Sequence, residues 1–204
     1  MKGQNLKFRT LKHGNLKSKQ QGVFSIEFAM VAVFFSLLIA FSGDVIIKLS
    51  LKGKLDRLSY SLVNVLKERT QLYDTDYQLT TKEVDDIDII AQHSLLRTFG
   101  HFEREHYGLL VEELSFKQVG TPNPAISEKR GVVACRIKQT IDSLESMTVV
   151  TNRGREMPLY RVTVCYESDN WIGGILGREF THVMSDSVVI GRESEEKGYE
   201  TRYA

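Results

Sequence analysis

Hydrophobic positions begin with one long uninterrupted run. From residue 23 to residue 42, the only residues that are not apolar are Ser25, Glu27, Ser36 and Ser42. Twenty helical residues span about 30 Å, which matches the hydrocarbon core of a bilayer. The run is apolar around the whole helix, with five phenylalanines spread over it. The pattern therefore predicts a transmembrane helix over residues 23–43.

Two other interpretations of the apolar run stay open. It could be a buried helix in the core of a soluble protein. It could also be a secretory signal, because Ala40-Phe41-Ser42 places small residues where cleavage before Gly43 would require them. The 22 residues that precede the run are long for the n-region of a signal, and a signal's apolar region does not normally contain an acid such as Glu27.

An amphipathic pattern follows the apolar run and predicts that the helix extends over residues 44–72. The residues of this stripe recur in steps of four and three. They are Leu51, Leu55, Leu58, Leu62, Val65, Arg69 and Leu72, all apolar except Arg69. Such a stripe packs either on the C-terminal domain of the same chain or on neighbouring helices in a bundle. The sequence leaves both interpretations open.

A second helix is predicted after a break at residues 73–77. Thr80 and Glu83 have the spacing of a capping box, in which each side chain accepts a hydrogen bond from the other residue's backbone. The apolar positions that support this amphipathic helix are Val84, Ile87, Ile90, Ala91, Leu95 and Phe99.

From residue 109 the pattern changes to that of β-strands. Strands are predicted over residues 109–119, 132–140, 146–151, 159–167 and 180–190. The strand over 159–167 alternates apolar and polar residues, which predicts one buried and one exposed face. Turns are predicted at residues 120–124 and at Asn152-Arg153-Gly154. The fold class is therefore α+β: a transmembrane helix, then a domain over residues 73–204 with a short helix and an antiparallel sheet.

Charge is distributed unevenly along the chain. Residues 1–22 contain six lysines and arginines and no acid, which leaves 21 basic against 26 acidic residues in the remainder. A mildly acidic body argues against a nucleic-acid-binding protein, which would keep a basic face. His101, Glu103, Glu105 and His106 lack the spacing of known zinc motifs, and no nucleophile or base lies in a catalytic motif. We therefore expect no enzymatic activity, no metal and no cofactor.

Two cysteines, Cys135 and Cys165, are too few for a disulfide scaffold or a zinc cluster. Both fall inside predicted strands. If the domain is exported, a cross-sheet disulfide between them is feasible. If the domain is cytosolic, we expect both cysteines to be reduced and buried as small hydrophobic residues.

The junction between the basic segment and the apolar run contains the most specific motif of the chain. Gly22 ends the basic segment, Val23 begins the apolar run, and Glu27 is followed by the aromatic Phe28. A carboxylate inside a membrane segment is costly, and by default it indicates a function.

This junction resembles the cleavage motif of type IV prepilins, and most closely that of the tight adherence (Tad/Flp) branch. The resemblance implies that a prepilin peptidase cuts between Gly22 and Val23. Residues 1–22 would then be a cytoplasmic leader, and Glu27 would become the fifth residue of the mature chain. In this family the carboxylate pairs with the new N-terminal amine of a neighbouring subunit, which sets the register of assembly. Phe28 belongs to the same assembly motif.

The length of the domain narrows the resemblance to the TadE- and TadF-like minor pilins, or pseudopilins, which have a C-terminal periplasmic domain. It implies a single-pass protein of the bacterial inner membrane, with its N-terminus in the cytoplasm, and it leaves open whether the protein also enters the pilus. The implied partners are the prepilin peptidase, the other minor and major Flp pilins, the inner-membrane Tad assembly proteins and membrane lipid. The alternatives are a pseudopilin of a type II secretion system, or an anchored or secreted periplasmic enzyme or binding module.

A glycine-rich loop precedes the last predicted strand and contains the only tryptophan. Apolar residues in such a loop either cap the core or form a contact surface. TadE-like chains often have an apolar loop here, so the candidate partner contacts are Trp171, Ile172, Ile175 and Leu176.

Overall fold

A computed structural model describes residues 21–72, 78–168 and 181–192, with the backbone alone at residues 21–23 and 69–72. The chain divides into two compact units, Met1–Gly43 and Asp44–Ala204. The predicted break at residues 73–77 lies outside the described residues. So does the loop with the candidate contacts Trp171, Ile172, Ile175 and Leu176.

The α+β fold predicted from the sequence is confirmed. The helices are α1 (Gln21–Leu72) and α2 (Thr81–Thr98), and the strands are β1 (Tyr107–Leu114), β2 (Phe116–Gln118), β3 (Thr121–Pro122), β4 (Ile126–Gly131), β5 (Leu159–Glu167) and β6 (His182–Ile190). Four strands form an antiparallel sheet in the order β4-β1-β5-β6, and β2 and β3 form a small separate hairpin. Short 3₁₀ helices lie at Arg104–His106 and Ile141–Met147.

Leucines of α1 supply much of the core of the second unit. Leu51, Leu55, Leu58, Leu62 and Leu66 are buried in one cluster with apolar residues of α2, β1 and β5. The predicted continuation through Val65 is wrong, since Val65 is 48 % exposed and Leu66 is 1 % exposed. The buried residues continue from Leu62 to Leu66, a step of four, which suits a straight helix with 3.6 residues per turn. The predicted alternation of four and three is a 3.5-residue repeat, which favours supercoiling. Of the two interpretations of the stripe, packing within the chain therefore holds for these leucines.

The predicted capping box at the start of α2 is confirmed. Glu83 accepts a hydrogen bond from the Thr80 backbone N–H at 2.8 Å, and the Thr80 hydroxyl accepts one from the Glu83 N–H at 3.4 Å. The buried face of α2 consists of Val84, Ile87, Ala91 and Leu95. Ile90, which the sequence assigned to this face, is 46 % exposed, because it lies about 100° around the helix from Ala91.

A polar contact joins α1 to β6 beside the leucine cluster. The Ser59 hydroxyl is buried and lies 3.2 Å from the Ser185 hydroxyl and 2.9 Å from the Ser187 hydroxyl. The Ser185 hydroxyl also donates to the carboxylate of Asp56. Burial alone would raise the pKa of Asp56, but hydrogen bonds from Lys52 and Ser185 and the charge of Lys52 outweigh it and lower that pKa. The contact thus fixes α1 on the sheet at a defined register.

Strand β5 has the predicted bounds but not the predicted exposure. Arg161, Thr163 and Cys165 were expected on a solvent-exposed face, yet all three are buried. Their face of the sheet is covered by the segment that connects β4 to β5, residues 132–158. We call this segment the cover. Its residue Ile141 packs with Leu114 and Leu159 in a second, smaller apolar cluster.

The strand predicted over residues 132–140 is wrong, because the chain turns away from the sheet at Gly131. Gly131 has φ +82°, and the N–H groups of Val132 and Val133 both donate to the Tyr107 carbonyl at 2.8 and 3.0 Å. The chain therefore passes over the beginning of β1 instead of pairing beside it. Gly108 permits this crossing, since a Cβ there would lie 1.9 Å from the Val133 carbonyl oxygen.

The other predicted strands are partly corrected. The strand over 109–119 is two strands, β1 and β2, which are separated at Ser115. The strand over 146–151 is wrong: residues up to Met147 form the second 3₁₀ helix, and Val150 makes an isolated bridge to Glu156 around the turn at 152–154. Strand β4 was missed, because its alternating half-exposed sequence ISEKRG is mostly polar. The last strand is described from His182.

We expect Gly108→Ala to destabilise the domain by about 3 kcal/mol, because the added methyl group meets backbone that cannot rotate away. Denaturant unfolding of the full-length protein in detergent measures the change. Gly100→Ala is the matched control, since a Cβ at Gly100 meets nothing within 4 Å. Equal stability of the two variants would contradict the crossing at Gly108.

Candidate functional site

The candidate site lies in the first unit, at the beginning of α1. The large hydrophobic side chains from Phe24 to Phe41 are exposed all around the helix. Among the described residues, one helix, Phe24–Glu68, is long and apolar enough to cross a membrane by length and composition. A fully exposed apolar surface of this length is unfavourable in water and favourable in lipid.

Polar side chains inside this apolar surface differ in how they are satisfied. The Ser36 hydroxyl donates to the Val33 carbonyl and the Ser42 hydroxyl donates to the Leu38 carbonyl, both at 2.8 Å. Such hydrogen bonds within the helix make serine tolerable in lipid. Glu27 cannot use the same solution, because an ionised carboxylate has no donor for a backbone carbonyl. Its side chain is exposed, like those of its neighbours.

The four residues of the candidate assembly motif lie within the first turns of α1. The backbone is helical from Gln21, so the bond between Gly22 and Val23 falls in the first turn. Val23 and Glu27 are four residues apart, which is a rise of about 6 Å and a rotation of about 40°. Phe28 is 67 % exposed at the adjacent position. The helix therefore presents positions 23 and 27 on one face.

The other candidate residues of the sequence lie in the second unit. Cys135 in the cover and Cys165 in β5 form a disulfide with their Cα atoms 5.6 Å apart. Cys135 does not lie in a strand, contrary to the expectation, because the chain has already left the sheet at Gly131. The bond thus joins the cover to the sheet, and not one strand to another.

A buried ion pair under the cover was not foreseen from the sequence. The Arg161 Nε donates to Glu112 Oε2 at 2.5 Å, and the Arg161 Nη1 donates to the Gln139 carbonyl at 2.8 Å. The two side chains are 3 and 5 % exposed. The sequence does contain the two charged residues, at positions that pair between β1 and β5. They could be recognised as a buried pair only if both faces of the sheet were known to be covered, because a sheet with one exposed face would leave both side chains in water.

Two histidines after α2 lie close to one carboxylate. His101 Nε2 lies 3.0 Å from Glu103 Oε1, and His106 Nε2 lies 3.4 Å from Glu103 Oε2. Across residues 21–72, 78–168 and 181–192, no group of three or more His, Cys, Asp or Glu residues is arranged to hold a metal ion. The carboxylate of Glu103 thus lies close to both imidazole rings.

The chain matches a protein-family model. The family model described as "TadF: Putative tight adherence pilin protein F" matches residues 15–192. The chain belongs to the TadF family of tight adherence pilin proteins. The match includes residues 15–22, the apolar helix and the described residues of the domain, and it selects TadF from the two minor pilin families that the sequence resembled. No curated protein and no solved structure matches the chain.

Membership of the TadF family indicates the general role of the protein. The chain is a pilin-like protein of a tight adherence system, and its long apolar helix is that of a membrane-anchored protein. A pilin family indicates a structural role in a pilus-related assembly and association with other pilus components.

We predict that the bond between Cys135 and Cys165 forms in the exported protein and contributes about 3–4 kcal/mol, because it closes a loop of 30 residues in the unfolded chain. Intact mass after alkylation under denaturing conditions should show two modified thiols only after reduction. Cys135→Ser/Cys165→Ser should then lower the free energy of unfolding by that amount. Two alkylated thiols without reductant would refute the prediction.

Proposed function

We propose that the chain is a minor pilin that a prepilin peptidase cleaves between Gly22 and Val23 and that assembly of a Tad/Flp pilus requires. The observation that supports this most is the position of Glu27 on the face of Val23, inside an otherwise apolar exposed surface. Its proposed partners are the prepilin peptidase, the major and other minor Flp pilins, and inner-membrane Tad assembly proteins.

Cleavage at this bond suits the local backbone. The N–H groups of the first helical turn have no partner within the helix, so opening that turn sacrifices few hydrogen bonds. Glycine has a low helix propensity, which lowers the cost of unwinding at Gly22 further. A peptidase that binds its substrate in an extended form could therefore reach this bond without disrupting the rest of α1.

The new amine would change the electrostatics of the helix start. α1 has no acid in its first turn. After cleavage the helix would begin with the positive amine of Val23, which is unfavourable beside the positive end of the helix dipole. Glu27, one turn away, offsets that charge within one chain. In an assembly, Glu27 of a neighbouring subunit would offset the amine instead, and the family resemblance favours this pairing between subunits.

The proposed orientation places residues 1–22 in the cytoplasm and the second unit in the periplasm of a bacterial inner membrane. The leader has basic residues and no acid, as cytoplasmic flanks do. Lys48, Lys52, Lys54 and Arg57 on the other side weaken this argument from charge, so the orientation depends mainly on the family. A disulfide in the second unit is compatible with an oxidising compartment.

We expect the mature protein to begin at Val23, with an amine that is methylated, as the resemblance to type IV prepilins implies. N-terminal sequencing and intact mass of protein purified from cells with and without the peptidase measure this. Gly22→Leu should leave the leader in place, because a bulky residue would not fit where the family has glycine. A mature chain that begins at Gly43 would indicate a secretory signal, and an intact Met1 in both strains would contradict processing.

We expect Glu27→Gln to abolish or strongly reduce pilus assembly while processing and membrane insertion continue, since the variant keeps the shape and removes the charge. The matched control is the exchange Ile26→Glu/Glu27→Ile, which keeps the composition but rotates the carboxylate by about 100°. Pili counted by electron microscopy, with processed protein in membranes as reference, give the readout. Assembly by the exchanged variant at the wild-type level would argue against a paired carboxylate at this face.

A further inference from the structure

A groove of about 550 Å³ lies at one end of the second unit. One wall is the stretch of α1 from Asp44 to Lys54. The other walls are the loop after α2, residues 99–106, and the end of β5. Neither the pilin motif nor the sheet explains this groove.

The loop wall of the groove is held by aromatic packing and hydrogen bonds. Phe99 contacts Tyr166 edge to face with ring centres 5.1 Å apart, and Phe102 contacts Tyr107 in the same way at 5.9 Å. The backbone N–H of Glu103 donates to the Tyr166 hydroxyl at 3.1 Å. The loop is thus a fixed wall of the groove.

The rim of the groove has charged groups of both signs. The carboxylate of Glu103 lies between His101 and His106, and His106 Nδ1 donates to the Glu167 carbonyl at 2.9 Å. On the helix side, Lys54 Nζ donates to the Thr98 carbonyl at 2.9 Å and lies 5.3 Å from the ring centre of Phe99. An ammonium group has three hydrogens, so Lys54 has donors left for a ligand.

The helical wall begins directly after the apolar run. Asp44 is the residue next to Gly43, and Val45, Ile46, Ile47 and Leu49 continue the exposed apolar surface beyond it. The exposed apolar side chains continue to Leu49, and each helical residue adds about 1.5 Å, so Lys54 lies about 8 Å beyond Leu49, at the level of the lipid headgroups. Exposed apolar side chains at this level are covered by lipid in a membrane-anchored protein.

We propose that this groove binds the headgroup of a zwitterionic phospholipid that has both a phosphate and a primary ammonium group. Lys54 would bind the phosphate and Glu103 the ammonium, while Ile47 and Phe99 contact the glycerol and the first acyl carbons. A volume of about 550 Å³ is typical of a small-ligand site. A helix of another pilin, which is about 10 Å across with its side chains, needs more room than this. The binding requires the membrane anchor, but neither leader cleavage nor pilus assembly.

Photo-crosslinking in native membranes identifies the occupant. Full-length protein with p-benzoylphenylalanine in place of His101, which is exposed and lines the groove, should form a phospholipid adduct that intact mass reveals. The same probe in place of Ile90 on the exposed side of α2 is the control and should form none. A protein adduct at position 101 would make the groove a docking site for another chain and overturn the proposal. Equal results at both positions would overturn it as well.

Lipid selectivity tests the assigned contacts. In native mass spectrometry of the full-length protein, we expect phosphatidylethanolamine to be retained more than phosphatidylcholine or phosphatidylglycerol. Lys54→Gln should lower that retention about tenfold or more, as the loss of one charged hydrogen bond implies. Lys52→Gln is the matched control, because Lys52 pairs with Asp56 and does not line the groove. Equal retention of the three lipids, or equal losses in both variants, would overturn the proposal.

Discussion

The packing of the α1 leucines against β1 and β5 is the interaction on which the second unit depends. Leu55, Leu62 and Leu66 are almost completely buried, in one cluster with Val111 and Val162. Each such side chain contributes roughly 1.5–3 kcal/mol when it leaves water. The helix face of the sheet would otherwise be an exposed apolar surface. One helix, α1, therefore supplies both the apolar surface suited to a membrane and a main component of the core. Its sequence has to change from apolar on every side to apolar along one stripe.

The other face of the sheet is covered by an irregular segment and not by a helix. An antiparallel sheet can leave one face in water, but here the cover buries it and encloses the pair of Glu112 and Arg161. A buried ion pair has a large desolvation cost, and removing one partner leaves an uncompensated charge. The cover must therefore stay closed, and the disulfide at Cys135 retains it. This arrangement explains why a long irregular segment can be part of the core without strand pairing.

The sequence predicted those features that depend on local patterns. The capping box of α2, the bounds of β5 and the apolar helix each follow from residues near one another in the chain. The cover could not be predicted, because its apolar and polar alternation over 132–140 is equally that of a strand. The deciding feature is the close approach of Gly131 to Tyr107, which are not neighbours in sequence. Val65 and Leu66 were likewise indistinguishable until the opposing sheet was known.

Two carboxylates of α1 illustrate why the beginning of the helix is the place to look for function. Asp44 pairs with Lys48, four residues later, at 2.8 Å, so its charge is balanced within the helix. Glu27 has Val31 at the corresponding position and Val23 four residues before it. A carboxylate deep in lipid costs roughly 3 kcal/mol, which an opposite charge within a few ångströms reduces. No side chain between residues 24 and 42 has such a charge. A charge that balances Glu27 would therefore come from outside residues 24–42, and the amine that the proposed cleavage would create at position 23 would lie on the same face of the helix as Glu27.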